Sequence, residues 1–152
     1  MRVFNSAADI TAAVGEELGV TDWLTITQDR VNTFADATGD HQWIHVDVER
    51  AEKESPFGGP IAHGYLSLSL LPMLGWQIYT IDGAKMGINY GSNKVRFPAP
   101  VPIGARVRLR STLQAADVLP DGAVQMVVSQ VLEIEDHPKP ALVAETLSRV
   151  AF

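Results

Sequence analysis

Apolar residues in the first half of the chain recur every three or four positions, as they do on one face of a helix. Residues 6–18 are predicted to form a helix that begins at the N-cap Ser6. Its buried face would carry three residues spaced four apart, Ile10, Val14 and Leu18. A second helix is predicted to start at the N-cap Thr27 and to end at Thr38.

The second half of the chain changes to the two-residue period of β-strands. Residues 106–110 alternate between charged and apolar side chains. Residues 124–134 form a long stretch that is rich in β-branched side chains. Two further strands are predicted over residues 86–97 and 142–152. An Asp-Gly pair at 121–122 is typical of the turn in a hairpin, so these strands are expected to pair in an antiparallel manner.

Between the two halves lies the most hydrophobic stretch, residues 65–79, which contains no charged side chain. Because it is apolar on every side, it is predicted to be a helix buried all round, with a kink at Pro72. The order of elements then predicts an α+β fold, in which an antiparallel sheet of about five strands wraps around a long central helix. The whole chain, residues 1–152, is expected to be a single domain.

Composition excludes several classes of function. A formal net charge of −6 and the lack of any lysine- or arginine-rich run argue against nucleic-acid binding. No run of 18 apolar residues is present, so no membrane span or membrane partner is expected. The chain has no cysteine, which excludes disulfides and a thiol nucleophile. With no apolar secretory signal at the N-terminus, a cytoplasmic location is expected.

Asp40 and His45 are the two groups best suited to proton chemistry at neutral pH. They follow Gly39, which is typical of a helix C-terminus, so both are expected on an irregular segment between two helices. Taken singly, an aspartate after glycine is usually a turn residue, and a lone histidine is usually a hydrogen-bonded, half-buried side chain.

A metal site is the other possibility for this segment. His41 and His45 have the spacing of two zinc ligands on a helix, but Gln42 occupies the position at which zinc proteases carry glutamate. Nothing in the local sequence links His63 or His137 to the pair, so no metal site is predicted.

Residues 34–51 resemble the hydratase motif of the MaoC-like dehydratases, the (R)-specific enoyl-CoA hydratases. The motif has an aromatic residue, here Phe34, then Gly-Asp, an apolar-His pair and a small residue, here Ala51. Gly39-Asp40 and Ile44-His45 fill the central positions, while Gln42-Trp43 replaces the Asn-Pro of the family. The segments Ile61–Gly64 and Val95–Pro98 also resemble family landmarks.

The resemblance implies a hot-dog fold and an enzyme of fatty-acid metabolism, a lyase that reversibly hydrates trans-2-enoyl-CoA to (3R)-3-hydroxyacyl-CoA. Asp40 and His45 would activate the water, and the backbone N–H of Gly64 would bind the thioester oxygen. Ser67, one helical turn further on, would bond either to substrate or back to its own helix. The resemblance implies no cofactor beyond the coenzyme A of the substrate, and a homodimer.

Three other functions fit the same fold. One is dehydration of 3-hydroxyacyl chains on acyl carrier protein, and another is a non-catalytic acyl-binding subunit. A hot-dog thioesterase would require a carboxylate on the central helix, and residues 65–79 have none. Apolar residues expected to line a tunnel for the acyl chain are Trp43, Phe57, Leu66, Leu70 and Trp76.

Overall fold

The computed structural model describes all 152 residues. The first part of the chain forms seven short elements. They are β1 (Arg2–Phe4), α1 (Ala7–Ala12), β2 (Glu17–Val20), β3 (Leu24–Thr25), α2 (Gln28–Thr38), α3 (Trp43–Val46) and α4 (Val48–Glu54). The second part contains the central helix, in two segments, and the long strands. They are α5 (Gly64–Ser69), α6 (Leu71–Ile78), β4 (Tyr79–Ile81), β5 (Met86–Arg96), β6 (Arg106–Val118), β7 (Val124–Ile134) and β8 (Leu142–Ala151). None of these helices is both long and apolar enough to cross a membrane.

The main sheet is antiparallel and has the strand order β2-β6-β7-β8-β5, with the short β3 also paired to β6. A separate parallel pair joins β1 to β4. Along β7, buried and half-buried residues alternate without exception, so one face of the sheet is covered and the other is partly open. The predicted α+β architecture of a sheet around a central helix is confirmed.

The central helix packs one face against the covered side of this sheet. Its buried residues recur every four positions and include Leu66, Leu70, Leu74 and Ile78. They belong to the same apolar cluster as Leu109, Leu113 and Met126 of the sheet, each of which has no exposed surface. This shared core fixes the helix relative to β6 and β7, and therefore fixes where its N-terminus lies.

The first predicted helix is too long. α1 ends at Ala12, Gly15 adopts a left-handed backbone with φ of 90°, and the chain then enters strand β2. Leu18 is buried as predicted, but it reaches the core from a strand and not from a helix. The four-residue spacing from Ile10 to Leu18 did not indicate one continuous helix, because a turn and a change of element separate the two residues.

The central helix is interrupted at Leu70, next to the predicted kink at Pro72, which has no N–H for the preceding turn. The prediction that this helix is buried all round is wrong. One stripe along it is exposed, formed by Tyr65, Ser69, Pro72 and Trp76. Tyr65 is 70% exposed and Trp76 73%, because the sheet covers only one side of the helix.

Leu109→Ala should lower the free energy of unfolding by about 2–5 kcal/mol, since it leaves a cavity where helix and sheet share their core. The exposed residue of the same strand, Val118, provides the control, because Val118→Ala should change stability by less than about 0.5 kcal/mol. Urea denaturation measures both, and equal effects would contradict the assignment of the core.

Candidate active site

Helix α2 brings Asp40 to the site, and its two ends are specified by local hydrogen bonds. The Thr27 hydroxyl accepts from the N–H of Arg30, and the N–H of Gly39 donates to the Ala35 carbonyl at 2.8 Å. Gly39 has φ of 79°, the left-handed conformation that glycine adopts easily. The chain therefore leaves the helix sharply, and the Asp40 side chain is half exposed next to the turn. The predicted bounds of this helix are confirmed.

His45 lies in the short helix α3, not on irregular backbone as predicted. Its side chain is buried, with only 7% of the residue exposed, and Nδ1 is 2.7 Å from the Ile61 carbonyl oxygen. A carbonyl only accepts hydrogen bonds, so Nδ1 carries the hydrogen and Nε2 of the neutral ring keeps its lone pair. Gln28 donates to the backbone carbonyl of His45 at 2.7 Å, which also fixes the helix.

A third ionisable side chain, His63, completes the cluster. Its ring stacks on that of His45, with centroids 3.9 Å apart and an angle of 27° between the planes. One polar side-chain atom from each of Asp40, His45 and His63 lies within 4.8 Å of the others. Sequence analysis found no local link to His63, although the segment Ile61–Gly64 that contains it resembled a family landmark.

His41, the other histidine of the motif segment, lies outside the cluster. Its side chain is exposed and its Nε2 bonds to the Asp36 carboxylate at 2.9 Å. The expectation that nothing links His63 to this segment is therefore wrong, because His63 lies beside His45 and His41 does not.

The three clustered side chains are of the type that binds transition metals, but the two rings are poorly oriented for it. An imidazole nitrogen binds a metal through a lone pair that lies in the plane of its ring. The planes of His45 and His63 are stacked and nearly parallel, so their lone pairs do not converge on one point. The arrangement fits a water molecule held by hydrogen bonds better than a metal ion.

Gly64 is the first residue of α5 and contacts the end of β5. A Cβ atom at this position would come within 3.1 Å of the Phe97 ring, so any larger residue would displace that ring. Amide groups in the first turn of a helix have no partner within the helix, which leaves them available to a ligand. Ser67 is buried one turn later and forms no side-chain hydrogen bond, whereas Ser69 bonds back to the carbonyl of Tyr65 at 2.7 Å.

A cavity of about 750 Å³ begins one helical turn beyond Gly64, at Leu68. It lies between the central helix and strands β5, β7 and β8, and its walls are mostly apolar with Gln130 and Thr146 among the polar exceptions. Of the residues expected to line a tunnel, only Trp76 does so. Trp43 instead packs against the guanidinium of Arg50, 4.3 Å from its ring centre, because α3 and α4 are adjacent.

The surroundings of the two motif histidines shift their pKa values in opposite directions. Burial lowers the pKa of His45, and His63 lowers it further, against the opposing effects of the Ile61 carbonyl and Asp40. His45 is therefore neutral at neutral pH. The hydrogen bond with Asp36 raises the pKa of the exposed His41.

These shifts predict opposite effects of two substitutions on acid stability. His45 binds its proton less readily in the folded state, so its contribution to stability is present above the unfolded pKa of about 6.5 and is lost as the pH falls. His45→Gln should make the free energy of unfolding fall less steeply between about pH 7.5 and pH 5. His41 has the opposite effect, since its raised pKa stabilises the fold at low pH. His41→Gln should therefore make the free energy of unfolding fall more steeply over the same range. Urea midpoints across this range measure both, and parallel curves for wild type and His45→Gln would contradict the first prediction.

The chain matches known proteins in both sequence and fold. The profile described as "MaoC like domain" matches residues 9–134. Over 149 residues the chain is 59% identical to 3-hydroxyacyl-thioester dehydratase Z of Mycobacterium tuberculosis, with 98% of each chain covered.

Two solved structures share the fold. One is a monoamine oxidase regulatory protein from an Archaeoglobus species, with a TM-score of 0.80, 24% identity and coverage of 98% of this chain and 95% of that one. The other is an (R)-hydratase of A. caviae involved in PHA biosynthesis, with a TM-score of 0.72, 22% identity and coverage of 89% and 94%. The protein is an enzyme of the hydro-lyase class, a hydratase or dehydratase. The chain belongs to the MaoC-like domain family.

Proposed function

We propose that the protein is an (R)-specific enoyl-CoA hydratase, which reversibly converts trans-2-enoyl-CoA to (3R)-3-hydroxyacyl-CoA. The observation that carries this proposal is the placement of His45 beside Asp40. Their polar atoms lie within 4.8 Å of each other, a gap that one water bridges with two hydrogen bonds of about 2.8 Å. Both residues occupy the ionisable positions of the hydratase motif.

The tautomer of His45 supports a role as the base. Its Nδ1–H is committed to the Ile61 carbonyl, and burial keeps the ring neutral, so the lone pair of Nε2 is free to accept a proton. Asp40 accepts the second hydrogen of the water. Its negative charge also raises the pKa of His45 and so favours the imidazolium that forms during the reaction.

In the hydration direction, Nε2 of His45 takes a proton from the water as its oxygen bonds to C3 of the substrate. The electron pair of the C2–C3 double bond moves toward the thioester, whose oxygen gains negative charge. C2 then takes a proton from the imidazolium, which returns His45 to its neutral form. The net change is the addition of one water, and the same steps in reverse give dehydration.

The thioester oxygen is placed at the N-terminus of α5, where the N–H of Gly64 stabilises its developing negative charge. The lack of a side chain at Gly64 lets the Phe97 ring pack closely against the start of this helix. Ser67 is proposed to bond to the substrate, because it is buried one turn away and makes no hydrogen bond back to its helix. The acyl chain would continue into the cavity that starts at Leu68.

The M. tuberculosis relative is named a dehydratase of 3-hydroxyacyl thioesters, a name that also covers a second candidate carrier for the same reaction. That candidate is a 3-hydroxyacyl chain on acyl carrier protein. Thioesterase activity fits less well, because neither α5 nor α6 carries a carboxylate.

Crotonyl-CoA and crotonyl acyl carrier protein, compared at equal concentration, separate the two carriers. Loss of enoyl absorbance reports hydration, release of free thiol reports a thioesterase, and no change reports a non-catalytic subunit.

Asp40→Asn and His45→Gln should each lower kcat for crotonyl-CoA by roughly 10²–10⁴-fold, because each removes a group that acts on the same water. Groups that act as a unit are not additive, so the double variant should be barely worse than either single one. Initial rates of hydration, with melting temperatures as the check on folding, measure all three.

His41→Gln is the matched control, since His41 lies in the same segment but points away from the cluster. It should leave kcat unchanged. If Asp40 only capped a turn, Asp40→Asn would cost about 1 kcal/mol or less and leave turnover nearly intact. Near-normal turnover in a folded Asp40 or His45 variant would therefore reject the mechanism.

We also propose that the protein is a homodimer. Three residues of the exposed stripe, Ser69, Pro72 and Trp76, line the same cavity as β5. This edge strand pairs only with β8 and exposes Met86, Ile88 and Tyr90. An unpaired edge with apolar side chains is a site for pairing with another strand, and a second copy of β5 would extend the sheet.

Sedimentation at micromolar concentration should give twice the chain mass of 16.5 kDa. Finding the 16.5 kDa monomer as the sole species would contradict the proposal. Ile88→Lys places a charge on the edge strand, so this variant should sediment closer to the monomer mass than wild type does.

A further inference from the structure

His63 is the one member of the cluster that the reaction scheme leaves without a role. It is 2% exposed and lies at the N-cap of α5, yet its side chain makes no capping hydrogen bond. We propose that His63 is a positioning residue, which holds Asp40 and His45 in the relative placement that the water requires. This inference rests on the proposed function, because it assigns a task within the same site.

The first link is a hydrogen bond to the segment that carries Asp40. Nε2 of His63 donates to the backbone carbonyl of Asp40 at 2.9 Å, across 23 positions of sequence. The other hydrogen bonds of Asp40 are long, since its N–H lies 3.5 Å from Thr38 Oγ1 and its Oδ1 lies 3.4 Å from Gln42 N. The bond from His63 is therefore the main tie between Asp40 and the central helix.

The second link is the ring stack on His45. The His63 ring lies between the ring of His45, at 3.9 Å, and that of Phe34, at 5.0 Å. The bond to Ile61 fixes the His45 ring within its plane, and His63 fixes it from one face. A single side chain thus contacts α2, α3 and the Asp40 turn while its own backbone begins α5, where Gly64 follows.

Packing alone does not explain a histidine here. Nδ1 of His63 is buried and has no hydrogen-bond partner, which is unfavourable for a polar atom. Phenylalanine would preserve a stacked ring of similar size and remove the unpaired atom. What phenylalanine would lack is the donor to Asp40, so the difference between the two residues isolates that hydrogen bond.

Two substitutions separate the two links. His63→Phe keeps a ring beside His45 and loses the donor, whereas His63→Gln keeps an amide N–H near the position of Nε2 and loses the ring. His63→Phe should lower kcat for crotonyl-CoA by up to about 100-fold, the effect of a misplaced catalytic group, with KM little changed and a melting temperature equal to or above wild type. His63→Gln should recover part of the lost kcat. His137→Gln, at an exposed histidine far from the cluster, is the control and should match wild type.

A readout without substrate keeps this test separate from that of the proposed function. Hydrogen–deuterium exchange of the amides in residues 39–42 should be faster in His63→Phe than in wild type, and intermediate in His63→Gln. If wild type does not hydrate any thioester, the proposed function fails while the exchange result still tests the tie to Asp40. The positioning role is rejected if exchange is unchanged in His63→Phe. It is also rejected if folded His63→Phe keeps full kcat, or if both variants lose activity only in proportion to lost stability.

Discussion

The packing of the central helix against the sheet is the constraint on which the active site depends. Leu66, Leu70, Leu74 and Ile78 lie on one face of the helix and are buried against β6 and β7. Because interiors are close-packed, this face can neither slide nor rotate without opening voids. The N-terminus of α5 is therefore held in place by residues that take no part in the chemistry, and Gly64 occupies a fixed position at its start.

The proposed catalytic groups reach this helix end from separate parts of the chain. The Ile61 N–H donates to the Ile44 carbonyl, and the Ile61 carbonyl accepts from Nδ1 of His45, so one residue holds α3 twice. Ala62 in turn bonds to the carbonyl of Val101. The segment that leads into α5 is thus tied both to the helix carrying His45 and to the loop before β6. His45, the proposed proton acceptor, and the start of α5 consequently share one hydrogen-bonded frame.

The sequence predicted those features that depend on local chemistry. The cap at Thr27 and the glycine at position 39 predicted both ends of α2, and the β-branched alternation of residues 124–134 predicted the bounds of β7. It failed where a feature depends on contacts between distant segments. The stack of His63 on His45 joins residues 18 positions apart, and no periodicity reports it. The family motif was needed to single out Asp40 and His45, since neither is distinctive by local pattern.

The error over the central helix has a physical meaning of its own. A helix with no charged residue should be covered on all sides, yet Tyr65 and Trp76 are among the most exposed apolar side chains of the chain. The uncovered stripe and the strand β5 both border the cavity, of which Trp76, Ile88 and Tyr90 form part of the wall. A partner that covered the stripe would also close that wall. Assembly and acyl binding would then act on the same surface, so the absence of charge along the helix would reflect two burial events, one by its own sheet and one by a second surface.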